Sequence, residues 1–120
     1  MFEKAISLYP NDSRTWSNNS HTLYQLKKYE DCLENLIIAL ELDMRNSYAW
    51  YSSALLLERI GLYSEADRCF DICKRLNHPL PIVRLVFEET ISKVQKKKLI
   101  LKSQRISELV NIYHDQSKNN

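Results

Sequence analysis

Residues 39–50 read ALELDMRNSYAW and residues 5–16 read AISLYPNDSRTW, so a similar stretch recurs at an interval of 34 residues. When the chain is shifted by this interval, residues of similar size align: Trp16 with Trp50, Ser20 with Ala54, Leu23 with Leu57, Tyr29 with Tyr63, and Leu36 with Phe70. Close-packed interiors penalise changes of volume, so the alignment indicates two copies of one packing environment.

The composition favours helices. The chain has 120 residues, one domain's worth, with one Gly and three Pro, whereas folds built from many strands need many turn residues. Within each copy, apolar residues recur at helical spacing in two segments, which predicts a pair of helices. Gly61 falls between the two segments of the second copy, where a left-handed residue is needed. Asn and Ser residues at 11–13 and 46–47 suit the starts of the first helices.

The period and these positions resemble the tetratricopeptide repeat family. The matching residues are Trp16, Ser20, Leu23, Cys32, Leu36 and Ala39 in one copy, and Trp50, Ala54, Leu57, Ala66, Phe70 and Cys73 in the next. Met44 and His78 stand where the family has Pro, and Asn19 stands where it has an apolar residue. The resemblance covers residues 1–80 and implies an all-α solenoid of antiparallel helix pairs, wound as a right-handed superhelix.

The resemblance divides the chain into a half repeat at 1–12, a repeat at 13–46 and a repeat at 47–80. The register is lost after residue 80, although apolar stripes continue, so we expect one kinked helix or two helices that cap the array over 81–114. We expect residues 115–120 to be a disordered tail. The half repeat lacks an upstream partner, which predicts either a longer array or self-association through this exposed helix.

The family holds extended peptides on the concave side of the array, and the resemblance assigns that side to the first helix of each repeat. The corresponding residues are Arg14, Ser17, His21, Tyr24 and Gln25, then Tyr48, Tyr51, Leu55, Glu58 and Arg59. The implied function is a non-catalytic protein–protein interaction scaffold that binds a peptide or partner helix. Some of these residues could instead contact the C-terminal helix. We expect the tyrosines to face the groove, and Trp16 and Trp50 to pack between helices.

One subfamily clamps the C-terminal carboxylate of chaperones with Lys and Asn. The matching positions in this chain are Ser17, His21, Ser52, Ile82 and Val86. These residues lack the cationic and amide groups of that clamp, so binding of chaperone tails is disfavoured.

A basic segment offers an alternative function. Six cations lie between residues 93 and 105 with no acidic residue among them: Lys93, Lys96, Lys97, Lys98, Lys102 and Arg105. Such a cluster suits nucleic acid or an anionic membrane surface. We favour a solvated helix face, because no aromatic residue is interleaved for base stacking.

The sequence offers no catalytic constellation, cofactor motif or metal site, so we predict that the protein is not an enzyme. His21, His78 and His114 lack metal-type spacing, and the single Gly excludes a Gly-rich phosphate loop. Cys69 and Cys73 lie four residues apart without further ligands, which favours buried structural thiols over a metal or redox site. Three cysteines, no secretory signal and no apolar run of membrane-spanning length predict a cytoplasmic protein.

Overall fold

The computed structural model describes residues 11–77 and 91–118. This part of the chain consists of helices and contains no strand, which confirms the all-α expectation for it. The five helices are α1 (Ser13–Gln25), α2 (Tyr29–Leu42), α3 (Ser47–Arg59), α4 (Tyr63–Arg75) and α5 (Lys93–Lys118). Residues 1–10, 78–90 and 119–120 lie outside the described residues. The half repeat at 1–12 therefore lies almost wholly outside them.

The first helices of the two copies begin and end at positions that differ by 34 residues, since α1 spans Ser13–Gln25 and α3 spans Ser47–Arg59. Their N-caps keep the same interval. The carboxylate of Asp12 accepts a hydrogen bond from the Arg14 amide at 2.9 Å, and the side chain of Asn46 accepts one from the Ala49 amide at 3.0 Å. Each cap satisfies a backbone donor that the helix itself leaves without a partner.

The turns within the two hairpins are also copies of each other. Lys27 ends the first turn at φ 61° and Gly61 the second at φ 88°. The next amide donates to the carbonyl of Leu23 in the first hairpin and of Leu57 in the second, both at 2.9 Å. This pattern is the Schellman motif, in which a left-handed residue lets the chain reverse and satisfies the last helical carbonyls. The hairpin α1–α2 and the hairpin α3–α4 therefore share caps, turns and spacing.

The hydrophobic core joins the two hairpins and α5. Helix α2 packs against α1, α3 and α5, while α3 packs against α2 and α4. The fully buried large side chains come from all the helices except α1: Leu33, Leu36, Leu40, Trp50, Leu56, Leu57, Ile72, Leu99, Ile106, Leu109 and Val110. Trp50 is buried as expected, whereas Trp16 is half-buried against the core.

The start of α3 is held against the first hairpin by polar contacts. Besides capping α3, the Asn46 amide donates to Ser13 Oγ at 2.8 Å and to Ser17 Oγ at 3.2 Å. The indole of Trp50 donates to the Met44 carbonyl at 2.7 Å. These bonds fix the position of the start of α3 relative to the first hairpin.

The buried polar residue Asn19 has a partner that the sequence did not reveal. Its amide donates to Asn35 Oδ1 on α2 at 3.2 Å, and both side chains are buried. A polar pair between the helices of one hairpin therefore replaces the expected apolar contact.

Helix α5 is a single helix in the described residues, and it packs mainly along α2 and less extensively against α4. Lys102 forms an ion pair with Glu34 at 3.5 Å and Arg105 one with Glu41 at 3.3 Å. The helix continues to Lys118. Residues 115–118 are therefore helical, four residues past the boundary at 114 where we expected a disordered tail to begin.

The paired turns allow a matched stability test. No atom lies within 4 Å of a Cβ built on Gly61, so only the positive φ opposes a side chain there. We expect Gly61→Ala to lower the free energy of unfolding by about 1 kcal/mol, and Lys27→Gly to raise it by a similar amount. Urea unfolding followed by circular dichroism measures both. A neutral effect of Gly61→Ala would contradict the assigned turn.

Candidate protein interaction surface

Helices α1 and α3 lie side by side and run in the same direction. Near their N-termini, Asn46 binds Ser13, and near their C-termini, Arg59 binds Tyr24. The His21 ring also meets the Tyr48 ring edge-on, with centroids 6.5 Å apart. We call the face that carries Arg14, His21, Tyr24 and Gln25 of α1 and Tyr48, Tyr51, Leu55, Glu58 and Arg59 of α3 the α1/α3 surface.

Arg59 holds the C-terminal end of this surface together. Its Nη1 donates to the hydroxyl of Tyr24 at 3.1 Å and to that of Tyr29 at 2.9 Å. The guanidinium carbon also lies 5.6 Å and 5.1 Å from the centroids of the same two rings, which is within cation–π range. One arginine of the second hairpin thus ties together both helices of the first.

Burial raises the pKa of the Tyr24 hydroxyl, although the hydrogen bond from Arg59 acts in the opposite direction. A raised folded-state pKa means that the neutral phenol is favoured in the folded protein. The corresponding stability is present below the unfolded pKa and is lost as the pH rises through the folded pKa. The folded protein should therefore lose stability only in strongly alkaline solution, where burial opposes the charged phenolate even though Arg59 favours it.

The structure places most of the expected residues at least partly at the surface. Arg14, His21 and Gln25 are exposed, Tyr48 is 36% exposed, and five others are half-buried: Tyr24, Tyr51, Leu55, Glu58 and Arg59. Tyr51 also leans on the second helix of its own hairpin, with its ring 6.1 Å from that of Phe70. Loss of Tyr51 would therefore affect the packing of the hairpin as well as its surface.

Ser17 is a correction to the expected set. Its side chain is only 2% exposed, its hydroxyl donates to the Arg14 carbonyl at 3.1 Å, and it accepts from Asn46 at 3.2 Å. The side chain of Asn46, in the loop that joins the hairpins, binds its hydroxyl. Ser17 therefore helps to hold the two hairpins together and does not line the surface.

Tyr29 is the participant that sequence reasoning missed. The side chain is 6% exposed and is bound to Arg59 from the neighbouring hairpin. Its alignment with Tyr63 was a signal of a shared position, but Tyr63 is 64% exposed. The two tyrosines differ in burial because Tyr29 binds a residue of the second hairpin. The sequence pattern within one repeat does not predict contacts with the next repeat.

Helix α5 meets the hairpins through residues outside the expected groove set. Its contacts include Glu34 and Glu41 on α2, Arg68 on α4 and the Trp50 ring on α3, whose centroid lies 6.0 Å from that of Tyr113. Apart from the Trp50 contact, these contacts lie on α2 and α4.

Ion pairs divide the six cations of the basic segment, residues 93–105, into two groups. Lys102 and Arg105 face acidic residues of α2, and Arg105 also pairs with Glu108 at 2.7 Å. Lys93, Lys97 and Lys98 are exposed and Lys96 is half-buried. Two of the six expected cations are therefore engaged in holding α5 against the first hairpin.

The cysteines are buried free thiols. Burial raises the pKa of Cys32, Cys69 and Cys73 to about 12 in each case. Cys73 also approaches the Ser47 carbonyl at 3.6 Å, and the equivalent pair in the first hairpin is a hydrogen bond from Ser13 Oγ to the Ala39 carbonyl at 2.7 Å. These positions therefore serve the packing between the helices of each hairpin.

The described residues contain no cluster of three or more His, Cys, Asp or Glu side chains that would hold a metal ion. No helix among them has the length and apolar character that crossing a membrane requires.

Comparison of the chain with protein-family models, with curated proteins and with solved structures found no match in any of the three.

The thiols give a direct test of burial. Because the reactive species is the thiolate, a pKa of about 12 should slow reaction with a disulfide reagent at pH 8 on the order of 10³-fold relative to a free cysteine. We expect the native protein to react slowly, and three thiols to react at once in denaturant. Release of the chromophore measures the rate, and a thiol that reacts within seconds in the native protein would contradict the assigned packing.

Proposed function

We propose that this chain is a non-catalytic protein–protein interaction module of the tetratricopeptide repeat type. In this proposal, the two hairpins form a short right-handed solenoid, α5 covers its outer side and end, and the α1/α3 surface binds a protein or peptide segment. The 34-residue interval shared by caps, turns and helix bounds supports the repeat assignment. The cytoplasmic location and self-association through the N-terminal helix stay predictions from the sequence.

The observation that carries the proposed function is the contact between His21 and Tyr48. The two rings come from the same face of adjacent first helices, and Tyr48 remains 36% exposed although it touches its neighbour. Aromatic side chains with one polar end are favoured at surfaces that a partner covers in the complex and that water contacts in its absence. Such residues are also enriched among those that contribute most to binding free energy.

The polar groups around this pair define the chemistry of a suitable partner. Arg14 is exposed on α1 and Arg59 is half-buried at the other end of the surface, with Leu55 between them on α3. A segment that combines apolar side chains with a carboxylate would match the rings, the leucine and the cations. We therefore expect an amphipathic peptide rather than a purely charged one.

Tyr48 and His21 provide the test of this surface. We expect the free energy of unfolding of the double variant Tyr48→Ala, His21→Ala to lie within about 1 kcal/mol of that of the native protein, because both positions are partly exposed. Peptides selected from a displayed library against the native protein should bind the double variant about 2 kcal/mol more weakly than they bind the native protein. Isothermal titration calorimetry measures the loss.

Two variants serve as controls for this experiment. Tyr63→Ala removes a ring that is 64% exposed on α4 and is not one of the residues of the proposed surface, and it should leave binding unchanged. Trp50→Ala removes a fully buried indole and should cost about 3–5 kcal/mol of stability. If Tyr63→Ala weakens binding as much as the double variant, or if the double variant keeps full affinity, the proposed surface is wrong.

The second candidate function is binding of nucleic acid or an anionic membrane by the basic segment. It depends on the four cations that precede Lys102, together with Val94 and Leu101, which are 69% and 66% exposed on the same helix. Apolar side chains beside lysines suit a membrane interface better than base recognition. We rank this candidate second because Lys102 and Arg105 are already paired with α2.

A triple variant separates the two candidates. Because Lys96, Lys97 and Lys98 are at least partly exposed, changing all three to Gln should alter stability by less than about 0.5 kcal/mol. Peptide binding at the α1/α3 surface should persist. Vesicles containing phosphatidylserine and a single-stranded RNA serve as probes at two salt concentrations. Tight, salt-sensitive binding that this variant abolishes would establish the second candidate instead.

A further inference from the structure

An open cleft lies between α4 and α5, away from the α1/α3 surface. It has a volume of about 600 Å³, and its lining includes Arg68 and Arg75 from α4 and His114 and Lys118 from α5. The volume falls in the usual range for small-molecule sites. The lining differs from the usual one, because all of its side chains are polar or charged.

The charges in the cleft favour an anion. Arg68, Arg75 and Lys118 contribute three positive charges, and Asp115 offsets one of them. His114 adds a ring nitrogen that can donate a hydrogen bond. An apolar ligand would gain little from this lining, whereas a multiply charged anion would gain several charge-assisted hydrogen bonds.

The two arginines are held apart in a way that suits more than one anionic group. They are seven residues apart on α4, which places them two turns or about 10 Å apart along the helix axis. The Arg68 guanidinium is oriented by Asn111 of α5, whose Oδ1 accepts from Nη2 at 2.6 Å. The planar guanidinium retains other N–H donors that match phosphate oxygens.

Favourable placement at helix ends accounts for only part of this cluster. Arg75 and Lys118 lie in the last turns of α4 and α5, where cations stabilise the helix dipole. Arg68 lies in the middle of α4 and His114 one turn before the end of α5, so the dipole gives no reason for either. Arg68 also binds Asn111 of α5, and its convergence with His114 and two further cations on one cleft suits an anionic ligand.

We propose that the cleft between α4 and α5 binds a small molecule that carries two or more linked phosphate groups. Phosphate is preferred to carboxylate because each group presents more oxygens and more charge to the two separated arginines. The Ser117 hydroxyl and the Asn111 amide supply neutral donors at the same cleft. This site is independent of the peptide surface proposed above, so either can fail without the other.

The probe for this site is inorganic tripolyphosphate, titrated into the full chain at low ionic strength and followed by amide and arginine side-chain NMR signals. We expect saturable shifts at Asn111, Ser117 and the Arg68 side chain, with a dissociation constant on the order of 1 mM or tighter. Arg68→Gln combined with Arg75→Gln should weaken binding at least tenfold. Lys118→Gln alone should weaken it less, and circular dichroism checks that each variant is folded.

The matched control is the double variant Lys28→Gln, Arg45→Gln, which removes the same charge from exposed positions in the turns before α2 and α3 and should leave binding intact. The proposal is overturned if this control weakens binding as much as the arginine variant, because the anion would then sense only net charge. It is equally overturned if citrate binds as tightly as tripolyphosphate. It is also overturned if no NMR signal of a cleft residue shifts at 10 mM tripolyphosphate, a concentration about tenfold above the expected dissociation constant.

Discussion

The rest of the structure depends on the attachment of helix α3 to the first hairpin at both of its ends. At the N-terminal end, Asn46 caps α3 and at the same time donates to Ser13 and Ser17. At the C-terminal end, Arg59 donates to Tyr24 and Tyr29. Buried polar groups are costly unless they are satisfied, so these contacts specify one register between the hairpins where an apolar interface alone would tolerate sliding. The parallel order of α1 and α3 follows from this register.

That order determines which surfaces remain for function. Parallel first helices bring His21 beside Tyr48 and leave Arg14 exposed on the same side of the molecule. Helix α5 packs along α2, to which it is attached through ion pairs, and contacts α4 less extensively, through Arg68 among others. The cleft at that contact collects cations, whereas the α1/α3 surface combines rings with a few charges. The two faces thus offer different chemistry, which is why we propose different classes of ligand for them.

Much of the fold was predictable because the same local signals occur twice in the chain. Ser13 and Ser47 mark the starts of helices, Gly61 marks a left-handed turn, and the buried Trp50 follows from volume matching. Contacts between copies were not predictable, because they join residues that the repeat does not align. The pairing of Tyr29 with Arg59 and the burial of Ser17 are of this kind. The path of α5 along α2 was also missed, since the amphipathic pattern of a helix does not identify its neighbour.

The coupling between hairpins is the central claim, and a double-mutant cycle between Arg59 and Tyr29 measures it most directly. Arg59→Met removes the donor but keeps much of the aliphatic side chain, and Tyr29→Phe removes only the acceptor hydroxyl. Unfolding free energies of the native protein, both single variants and the double variant give the interaction energy between the two side chains. We predict a favourable coupling of about 1 kcal/mol or more, as expected for a hydrogen bond from a charged donor to a buried hydroxyl. Strictly additive effects of the two substitutions would contradict the assigned stacking of the second hairpin on the first.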